Sequence, residues 1–278
     1  MLKSARLTVS IVLFNSPLEP LSRTVNSLGT AVHAAREAGV LEKAQVYLID
    51  NASAADYRSR LEVAYPDWAL PNLMTINYRP QDDNGGFGAG HNRVLPELDG
   101  ALHLVLNPDV ELEPDALVAG MGTLAKRLDI VLLAPAARGE EGEWESLCKR
   151  YPSVWVLLLR GFVPGVLQRP FRRQLEHYQM RDLGSPGQAA DVPIASGCFM
   201  LLRSDALQSM GGFDEGFFLY FEDFDLSLRL SAVGRLMFWP DMRIVHHGGN
   251  AAAKGGQHIL YFVRSAWRFF QRHGWRWV

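Results

Sequence analysis

The chain has 278 residues, of which 48% are hydrophobic and 21% charged, and its formal net charge is -2. This length and composition suit one large α/β domain, and the near-neutral charge excludes the strong basic field of a nucleic-acid-binding protein. The two cysteines, Cys148 and Cys198, match no metal-binding spacing. Because we find no export signal and no apolar run of about 18 residues, we expect a cytoplasmic protein, with attachment to the inner face of the cell membrane left open.

The first half of the chain alternates predicted strands and helices. An apolar, β-branched run at 7–14 predicts a strand buried on both faces, and apolar residues at helical spacing predict a helix over 18–38. With a second strand at 44–49, these elements form a βαβ unit and start a parallel sheet. Later elements of the same kind are strands at 73–78, 102–106 and 130–135 and a helix at 114–128.

Polar and glycine-rich segments follow these strands. Ligands of open α/β sheets bind beyond the carboxyl ends of the strands, so Asp50 is placed to hydrogen-bond a base or a ribose. A turn that caps the following helix is the alternative interpretation. The segment from Asn84 to Asn92 carries four glycines, which let backbone amides approach a ligand, although it matches neither a Rossmann fingerprint nor a P-loop.

Two further segments contain side chains that bind metal ions. Asp109 follows the strand at 102–106, where it could hold a divalent cation, and a proline-containing turn is the alternative. His246 and His247 end a predicted strand before flexible glycines and could complete that metal site, although paired histidines are more often ordinary surface or core residues.

The second half is less regular. Between 136 and 190 the alternation fades, and apolar residues mix with arginines, which suits either an anionic lipid surface or a buried helix with solvated arginines. Strands are predicted at 192–203, 236–240 and 242–245. Between them, Glu222 and Asp223 stand in an aromatic run at the predicted start of a helix, where acids either serve catalysis or simply favour the helix N-terminus.

The last segment predicts an amphipathic helix. Apolar residues fall on one broad face, and Arg264, Arg268, Arg272 and Arg276 recur every four residues on another. Such a helix binds an anionic membrane surface or docks its apolar face on the domain.

Taken in order, these motifs resemble the family 2 inverting glycosyltransferases, in particular the bacterial rhamnosyltransferase-like branch. The resemblance spans roughly residues 7 to 250. The motifs that carry it are Ile49-Asp50-Asn51-Ala52-Ser53, Asn84 to Asn92, Leu106-Asn107-Pro108-Asp109, Ser196-Gly197-Cys198 through Gly211-Gly212-Phe213-Asp214 to Glu222-Asp223-Phe224-Asp225, and His246-His247-Gly248-Gly249.

The resemblance implies a GT-A fold, an α/β domain with a Rossmann-like, mostly parallel nucleotide-binding sheet flanked by helices. On that basis we assign residues 1–255 to the glycosyltransferase domain, with a nucleotide-sugar half over about 1–135 and an acceptor or catalytic half over about 136–255. Residues 256–278 form the C-terminal amphipathic helix.

The resemblance also implies roles for single residues. Asp223 matches the catalytic base and Glu222 its neighbour, while Asp109 and His246 match ligands of Mg²⁺ or Mn²⁺, with His247 as the competing ligand. Asn107 replaces the first acid of the family's Asp-x-Asp, and Arg93 departs from the small residue often found after Asn92. The residues expected to bind the nucleotide sugar are Asp50, which matches the acid that pairs with the pyrimidine, and Asn51, Ser53, Asn84, Gly85, Gly86, Phe87, Gly90, Asn92 and Asn107.

The implied activity is a metal-dependent, inverting transfer of L-rhamnose from dTDP-L-rhamnose to a lipid-linked or growing cell-surface polysaccharide. One carboxylate suffices as the base of such a displacement. A UDP-hexose donor and a non-catalytic module that binds nucleotide sugars are the alternatives. A sugar nucleotidyltransferase is disfavoured because Asn15-Ser16-Pro17, and no glycine-rich basic loop, follows the first strand.

Overall fold

The computed structural model describes residues 5–64, 74–181, 188–248 and 255–278, and its fold is of the predicted α/β class. The strands are β1 (Ala5–Leu13), β2 (Leu41–Asp50), β3 (Met74–Pro80), β4 (Leu102–Leu106), β5 (Val110–Leu112), β6 (Ile130–Arg138), β7 (Trp144–Glu145), β8 (Cys148–Lys149), β9 (Ala190–Asp191), β10 (Ile194–Ala195), β11 (Phe199–Arg203) and β12 (Arg235–His246). The α-helices are α1 (Leu18–Glu37), α2 (Tyr57–Ala64), α3 (Phe87–Asn92), α4 (Ala116–Lys126), α5 (Val154–Phe162), α6 (Gly165–Gln168), α7 (Arg172–Tyr178), α8 (Ser204–Ser209), α9 (Glu222–Leu230) and α10 (Gly255–His273).

One ten-stranded sheet runs through the described residues, with β3-β2-β1-β4-β11-β6-β12-β5 as its main order. The pairs β2/β3, β1/β2 and β1/β4 are parallel, as the βαβ pattern predicts. Strand β11 then pairs antiparallel with both β4 and β6. Neighbouring Val9 and Ser10 are both fully buried, so β1 is covered on both faces, which is typical of the centre of a parallel sheet.

Two strand predictions differ from the structure. The strand predicted over 192–203 is interrupted at Ser196-Gly197-Cys198, so β10 pairs with β8 in a separate two-stranded sheet and only β11 joins the main sheet. The predicted strands at 236–240 and 242–245 are instead one strand, β12, whose register against β6 shifts between Trp239 and Arg243. Pro240 has no backbone N–H to donate, so the sequence predicts that a strand ends there. In the structure a bulge accommodates this proline within one strand.

The irregular span after β6 contains α5, α6 and α7. Of these, α5 and α7 pack with the C-terminal helix around a separate aromatic and aliphatic cluster. Phe217, Phe221, Phe269 and Phe270 are buried in this cluster. One face of α10 is therefore docked on the domain, whereas Leu260, Val263 and Trp267 remain exposed. The docking interpretation of the amphipathic helix therefore applies to one of its faces, and membrane binding by the exposed face stays a prediction. Within the described part of the chain, no helix is sufficiently long and apolar to cross a membrane.

Charged contacts add to the docking of α10. Arg268 and Arg272 both pair with Asp214, which lies in the turn before α9. His273 Nε2 lies 2.8 Å from Asp225 Oδ1, and the Asp225 side chain is fully buried. A buried carboxylate needs such partners because removing a charge from water is costly.

We predict that Phe269→Ala lowers the free energy of unfolding by about 3–5 kcal/mol, because it empties a fully buried aromatic site between α10 and the rest of the chain. Leu260→Ala, on the exposed face of the same helix, should change it by about 0.5 kcal/mol or less. Urea denaturation followed by circular dichroism measures both. Equal losses in the two variants would mean that α10 does not pack as described.

Candidate active site

The candidate site begins at the carboxyl ends of the parallel strands, where β2 ends in buried Asp50. Asp50 Oδ1 accepts a hydrogen bond of 3.0 Å from the Ser53 amide, and Oδ2 accepts one from the Tyr78 hydroxyl. Burial, followed by the hydrogen bond to Asp50 and its charge, raises the pKa of Tyr78, so the phenol stays a donor. The carboxylate thus holds the turn after β2 and is oriented by Tyr78, a residue that the sequence analysis did not single out.

Asn51 and Asn84 connect this turn to the glycine-rich loop. The Asn51 side-chain amide donates to the Gly86 carbonyl at 2.8 Å, and the Gly86 amide donates to Asn84 Oδ1 at 3.0 Å. Ser53 Oγ accepts from the Asn15 amide at 2.8 Å, which joins the loops after β1 and β2. These residues therefore shape one continuous rim at the end of the sheet, and their contacts with a nucleotide sugar stay a prediction.

The glycine-rich loop makes a very close approach to the turn before α9. Gly86 has φ +93°, and a Cβ built there would lie 2.1 Å from the carbonyl oxygen of Phe218. The Phe87 amide donates to that same oxygen at 3.1 Å. A side chain at position 86 is excluded both by the conformation and by the contact.

The other predicted residues of the loop hold α3 in place. A Cβ at Gly90 would lie 2.8 Å from a methyl group of Val12, so helix and sheet touch there, and one at Gly85 would lie 3.1 Å from Ala89 Cβ. Asn92 Nδ2 donates to the Phe213 carbonyl and to Glu215, and Asn92 Oδ1 accepts from the Phe213 amide. The Asn92 side chain thus forms three hydrogen bonds within the protein, and its contact with the sugar stays a prediction.

The acids that the sequence analysis predicts at a helix N-terminus lie in the first turn of α9. Tyr220 and Phe221, directly before the helix, both have left-handed backbones with φ +71° and +66°. Such conformations cost about 1–3 kcal/mol each in residues with side chains. Packing of Phe221 against Phe224 and Phe269 offsets this cost, and the turn places Glu222 and Asp223 at the helix start.

Asp223 is the half-buried acid of this pair. Its Oδ2 accepts from the Gly197 amide and its Oδ1 from the Phe224 amide, both at 2.9 Å. Burial raises the pKa of Asp223 although these backbone donors oppose it. Burial and the Asp223 charge raise the pKa of Glu222 well above its usual range, and Glu222 Oε2 has no hydrogen-bond partner among the described residues. We infer that Glu222 is the member of the pair that keeps its proton.

Gly197 brings the glycine-rich loop and Asp223 together. A Cβ at this position would lie 2.9 Å from a ring carbon of Phe87 and 3.3 Å from Asp223 Cβ. The interruption between β10 and β11 therefore provides both a hydrogen-bond donor to the acid and the space for it. Elements separated by more than a hundred residues thus form one wall of the site.

Asp109 and His246 face each other beside this wall. Asp109 Oδ1 is buried without a hydrogen-bond partner in the described structure and lies 3.7 Å from His246 Nε2. His246 Nδ1 lies 2.8 Å from Glu145 Oε2. Burial alone lowers the pKa of His246, but the hydrogen bond to Glu145 and the charges of Glu145 and Asp109 outweigh it and raise the pKa.

This pair fits a divalent cation. Two ligand atoms about 2.1 Å from one metal ion lie about 3.0–3.6 Å apart for angles between 90° and 120°. A histidine that binds metal almost always places its other nitrogen on a carboxylate, as His246 does on Glu145. Among the described residues no group of three or more acids, histidines and cysteines could hold a metal ion, so Asp109 and His246 would supply two ligands of this kind and no third.

His247, the competing candidate, points elsewhere. Its Nε2 lies 2.7 Å from Glu111 and its Nδ1 2.6 Å from Glu140, while its backbone amide donates to the Asp109 carbonyl. Asn107 is half-buried, and its amide donates to the Cys198 carbonyl at 2.9 Å. Burial raises the pKa of Cys198, and Glu145, Asp109 and Asp223 all add to this rise, so the thiol lies within electrostatic range of all three acids.

Lys149 is a cation of the site that the sequence analysis missed. It lies on β8, its ammonium group donates to the Ser146 carbonyl, and burial lowers its pKa to about 8. Its charge lowers the pKa of Asp223, and it pairs with Ile194 on β10, three residues before the Gly197 amide that donates to Asp223. A lone lysine in an irregular span carries no sequence signal, because only the β8/β10 pairing brings it to the acid.

Comparison with known proteins decides the family. The chain is 45% identical over 214 residues to the rhamnosyltransferase WbbL of Escherichia coli K12, and the match covers 72% of this chain and 77% of the relative. The chain belongs to the rhamnosyltransferase-like branch of the family 2 glycosyltransferases. A second relative, the N-acetylglucosaminyl-diphospho-decaprenol L-rhamnosyltransferase of Mycobacterium tuberculosis, is 27% identical over 225 residues, which are 76% of this chain and 72% of that protein. No protein-family model matches the chain.

Solved structures confirm the GT-A fold of this glycosyltransferase. GalNAc-T7, solved with UDP, GalNAc and Mn²⁺, has a TM-score of 0.64 at 15% identity, over 96% of this chain and 48% of that chain. The mannosyltransferase PcManGT of Pyrobaculum calidifontis, solved with GDP-mannose and Mn²⁺, has a TM-score of 0.60 at 15% identity, over 89% of this chain and 58% of that chain. The glycosyltransferase thus spans about half the length of these solved chains, and at this identity the likeness concerns the fold alone.

A buried polar group of the glycosyltransferase also escaped the sequence analysis. Ser10 Oγ lies 2.6 Å from His91 Nδ1 and 2.9 Å from His103 Nε2, between α3 and the central strands. Burial lowers the pKa of His103 to about 3 and that of His91 well below its usual value, so both rings are neutral. These hydrogen bonds fix the glycine-rich segment on the sheet.

Proposed function

We propose that this glycosyltransferase transfers L-rhamnose, with inversion, from dTDP-L-rhamnose to a lipid-linked acceptor in the synthesis of a cell-surface polysaccharide. The observation that supports L-rhamnose as the transferred sugar is the 45% identity to a rhamnosyltransferase over 72% of the chain. The name of the mycobacterial relative supports an acceptor whose sugar is joined through a diphosphate to a polyprenol.

The donor half supports a nucleotide sugar. In the proposal the Asp50 carboxylate accepts the ring N–H of the pyrimidine, which thymine and uracil share. Tyr78 and Ser53 already orient this carboxylate from two sides. The rim formed by Asn51, Asn84 and Gly86 lies against the ribose and the sugar. Because Asp50 cannot separate the two pyrimidines, the donor has to be identified by experiment.

Asp223 is the proposed base. The acceptor hydroxyl oxygen attacks the anomeric carbon while the bond from that carbon to the diphosphate oxygen breaks, and the hydroxyl proton passes to the Asp223 carboxylate. Hydrogen bonds from the Gly197 and Phe224 amides fix the orientation of this carboxylate. Its raised pKa favours proton acceptance, and a protonated Glu222 next to it avoids a second negative charge.

Asp109 and His246 are the proposed ligands of Mg²⁺ or Mn²⁺. A bound divalent ion supplies charge neutralisation to the departing diphosphate. The orphaned Asp109 Oδ1 and the Glu145 contact that orients the His246 ring support this assignment. Glu145 keeps the ring turned towards Asp109.

The first experiment measures thermal stabilisation by dTDP-rhamnose, UDP-glucose, UDP-galactose and UDP-N-acetylglucosamine, each with Mn²⁺ and with chelator. Binding to the folded state raises the midpoint, by about 5 °C at a ligand concentration of about 100 times the dissociation constant. We expect a metal-dependent shift with dTDP-rhamnose. A larger shift with a UDP-hexose would replace the proposed donor, and no shift with any donor would contradict binding of these four nucleotide sugars.

The same assay, combined with a transfer assay, tests the base. Asp223→Asn should reduce turnover at least about 100-fold, because the amide cannot accept the proton, while the donor-induced shift persists. Asp241→Asn, an exposed acid on β12, is the matched control and should retain both. Substantial turnover by Asp223→Asn would remove Asp223 from this role.

The two histidines make the metal proposal testable. We expect His246→Ala to weaken Mn²⁺ binding by at least about tenfold, because it removes a ligand, while His247→Ala leaves it nearly unchanged. Calorimetric titration with Mn²⁺ in the presence of the nucleotide diphosphate measures both. The reverse order of effects would move the site to His247 and its partners Glu111 and Glu140.

We also propose that the exposed face of α10 lies on an anionic membrane. Ile259, Leu260, Val263 and Trp267 recur at helical spacing, are each more than half exposed, and have exposed Arg264 beside them. Apolar side chains flanked by cations suit the boundary of an anionic bilayer, where a lipid-linked acceptor is found.

Co-sedimentation with anionic vesicles tests this face. Replacing Leu260 and Val263 together by serine should lower the partition coefficient of the protein between vesicles and water about tenfold, because the helix then buries less apolar area in the bilayer. The matched control replaces exposed Leu128 and Val233 by serine. Equal binding by both double variants would place the contact elsewhere or exclude it.

A further inference from the structure

A cavity of about 440 Å³ lies between the segment after β8, the helices α5 and α7, and the C-terminal tail. Its lining includes the cationic residues Arg150, Arg173 and Arg276 and the aromatic residues Tyr151 and Trp155. We call it the arginine cavity. None of the catalytic or metal-binding residues proposed above lines it.

The charged side chains among the described lining of this cavity are cationic. Three guanidinium groups and His177 line it, and its lining contains no acidic side chain among the described residues. Arg150 donates to the His177 carbonyl, and Arg276 lies over the Tyr151 ring at 4.3 Å, so both are held in place. Arg173 is exposed and forms no ion pair with a described residue. Guanidinium groups arranged around a cavity suit a phosphate, which they bind with two parallel hydrogen bonds.

The cavity adjoins the proposed base through the β8/β10 pair. Arg150, which lines the cavity, directly follows Lys149, and Lys149 pairs with Ile194 on β10. Gly197, three residues after Ile194, donates to Asp223 Oδ2 at 2.9 Å. Tyr178 lines the cavity, is buried, and accepts at its carbonyl from the Arg150 amide at 2.9 Å.

The cavity also adjoins exposed apolar side chains of the tail. Val278 lines it and is 91% exposed, and Trp277, stacked on Trp275, is 66% exposed. The Trp277 carbonyl accepts from the Trp155 amide at 3.1 Å, which fixes the tail on the start of α5. Cationic walls with apolar side chains at one edge fit an amphiphile that carries its negative charge next to a hydrocarbon chain.

We propose that the arginine cavity binds the diphosphate of the lipid-linked acceptor, with the prenyl chain leaving along Trp277 and Val278. This inference rests on the proposed function. In such an acceptor the sugar that offers its hydroxyl to the base carries the diphosphate on its anomeric carbon. The diphosphate therefore has to lie about one sugar ring from Asp223, on the acceptor side, and the β8/β10 pair connects the wall that holds Asp223 to the cavity.

Helix α7 offers a matched pair of variants. Arg173 lines the cavity, whereas the adjacent Arg172 pairs with Glu176 at 2.7 Å and does not line it. Arg173→Gln and Arg172→Gln remove the same charge from exposed positions of the same helix, so the net charge changes equally. Only the second variant also loses the exposed ion pair with Glu176, and such pairs contribute little to stability. Only the first removes a guanidinium group from the proposed diphosphate site.

The binding experiment uses geranyl diphosphate and inorganic pyrophosphate as probes, titrated into the full chain with chelator present. We expect geranyl diphosphate to bind, with an affinity at least about tenfold lower in Arg173→Gln and unchanged in Arg172→Gln, as for the loss of one hydrogen bond between charged groups. An equal loss of affinity in both variants, or no loss in either, would overturn the assignment of the arginine cavity as the diphosphate site. Pyrophosphate binding as tight as that of geranyl diphosphate would make this a free-anion site and overturn the lipid assignment.

The kinetic experiment uses a synthetic prenyl-diphosphate-linked N-acetylglucosamine as acceptor. Arg173→Gln should raise the acceptor KM at least about tenfold while the donor KM and kcat stay close to those of Arg172→Gln. An unchanged acceptor KM would overturn the inference even if transfer occurs. If the unmodified chain transfers no sugar but binds geranyl diphosphate through Arg173, the proposed function fails while the diphosphate site stands.

Discussion

The close contact between the Gly86 and Phe218 backbones is the constraint on which the candidate active site depends. The glycine conformation and the 2.1 Å left for a Cβ exclude any side chain, and the Phe87 amide bonds the Phe218 carbonyl. This contact holds the glycine-rich loop against the turn that precedes the two acids. A second narrow position, Gly197, repeats the arrangement between the Phe87 ring and Asp223. The glycine-rich loop and the turn before Glu222 and Asp223 are therefore fixed relative to each other, and such preorganisation supports the in-line displacement proposed above.

The first turn of α9 shows how neighbouring carboxylates acquire different states. Asp225 is fully buried but accepts from Arg229 and contacts His273, so its charge is compensated. Asp223 accepts two backbone amides and lies near the Lys149 charge, which partly offsets its burial. Glu222 is buried with one oxygen unpartnered, and burial and Asp223 together raise its pKa. The same helix start thus contains one carboxylate with two charged partners, one carboxylate oriented by two backbone amides, and one acid whose pKa is raised by burial and by the charge next to it. These differences arise because the partners of the three acids differ.

Neighbouring histidines illustrate the limit of a motif. Successive side chains of an extended segment point to opposite sides, so only one of His246 and His247 can face Asp109. The sequence predicts both histidines at the end of a strand. It does not predict which of the two faces Asp109, because the bulge between Trp239 and Arg243 shifts the register of that strand. The structure directs His246 to Asp109 and Glu145, and His247 to Glu111 and Glu140. The sequence analysis also missed Lys149, because the span between 136 and 190 that contains it lacks a periodic pattern of hydrophobic residues. It missed the arginine cavity because the cavity forms only where this span packs against the C-terminal tail.

By itself, the sequence determined the α/β class, the parallel start of the sheet, the helix that begins at Glu222 and the amphipathic C-terminal helix. It could do so because hydrophobic periodicity, turn residues and the charge of a helix start are local properties. Only the tertiary structure decided that Glu145 orients His246 from 101 residues away, that Gly197 supports Asp223, and that α10 docks one face and exposes the other. These contacts depend on how distant elements pack, and packing between distant elements is not encoded in any single segment of the chain.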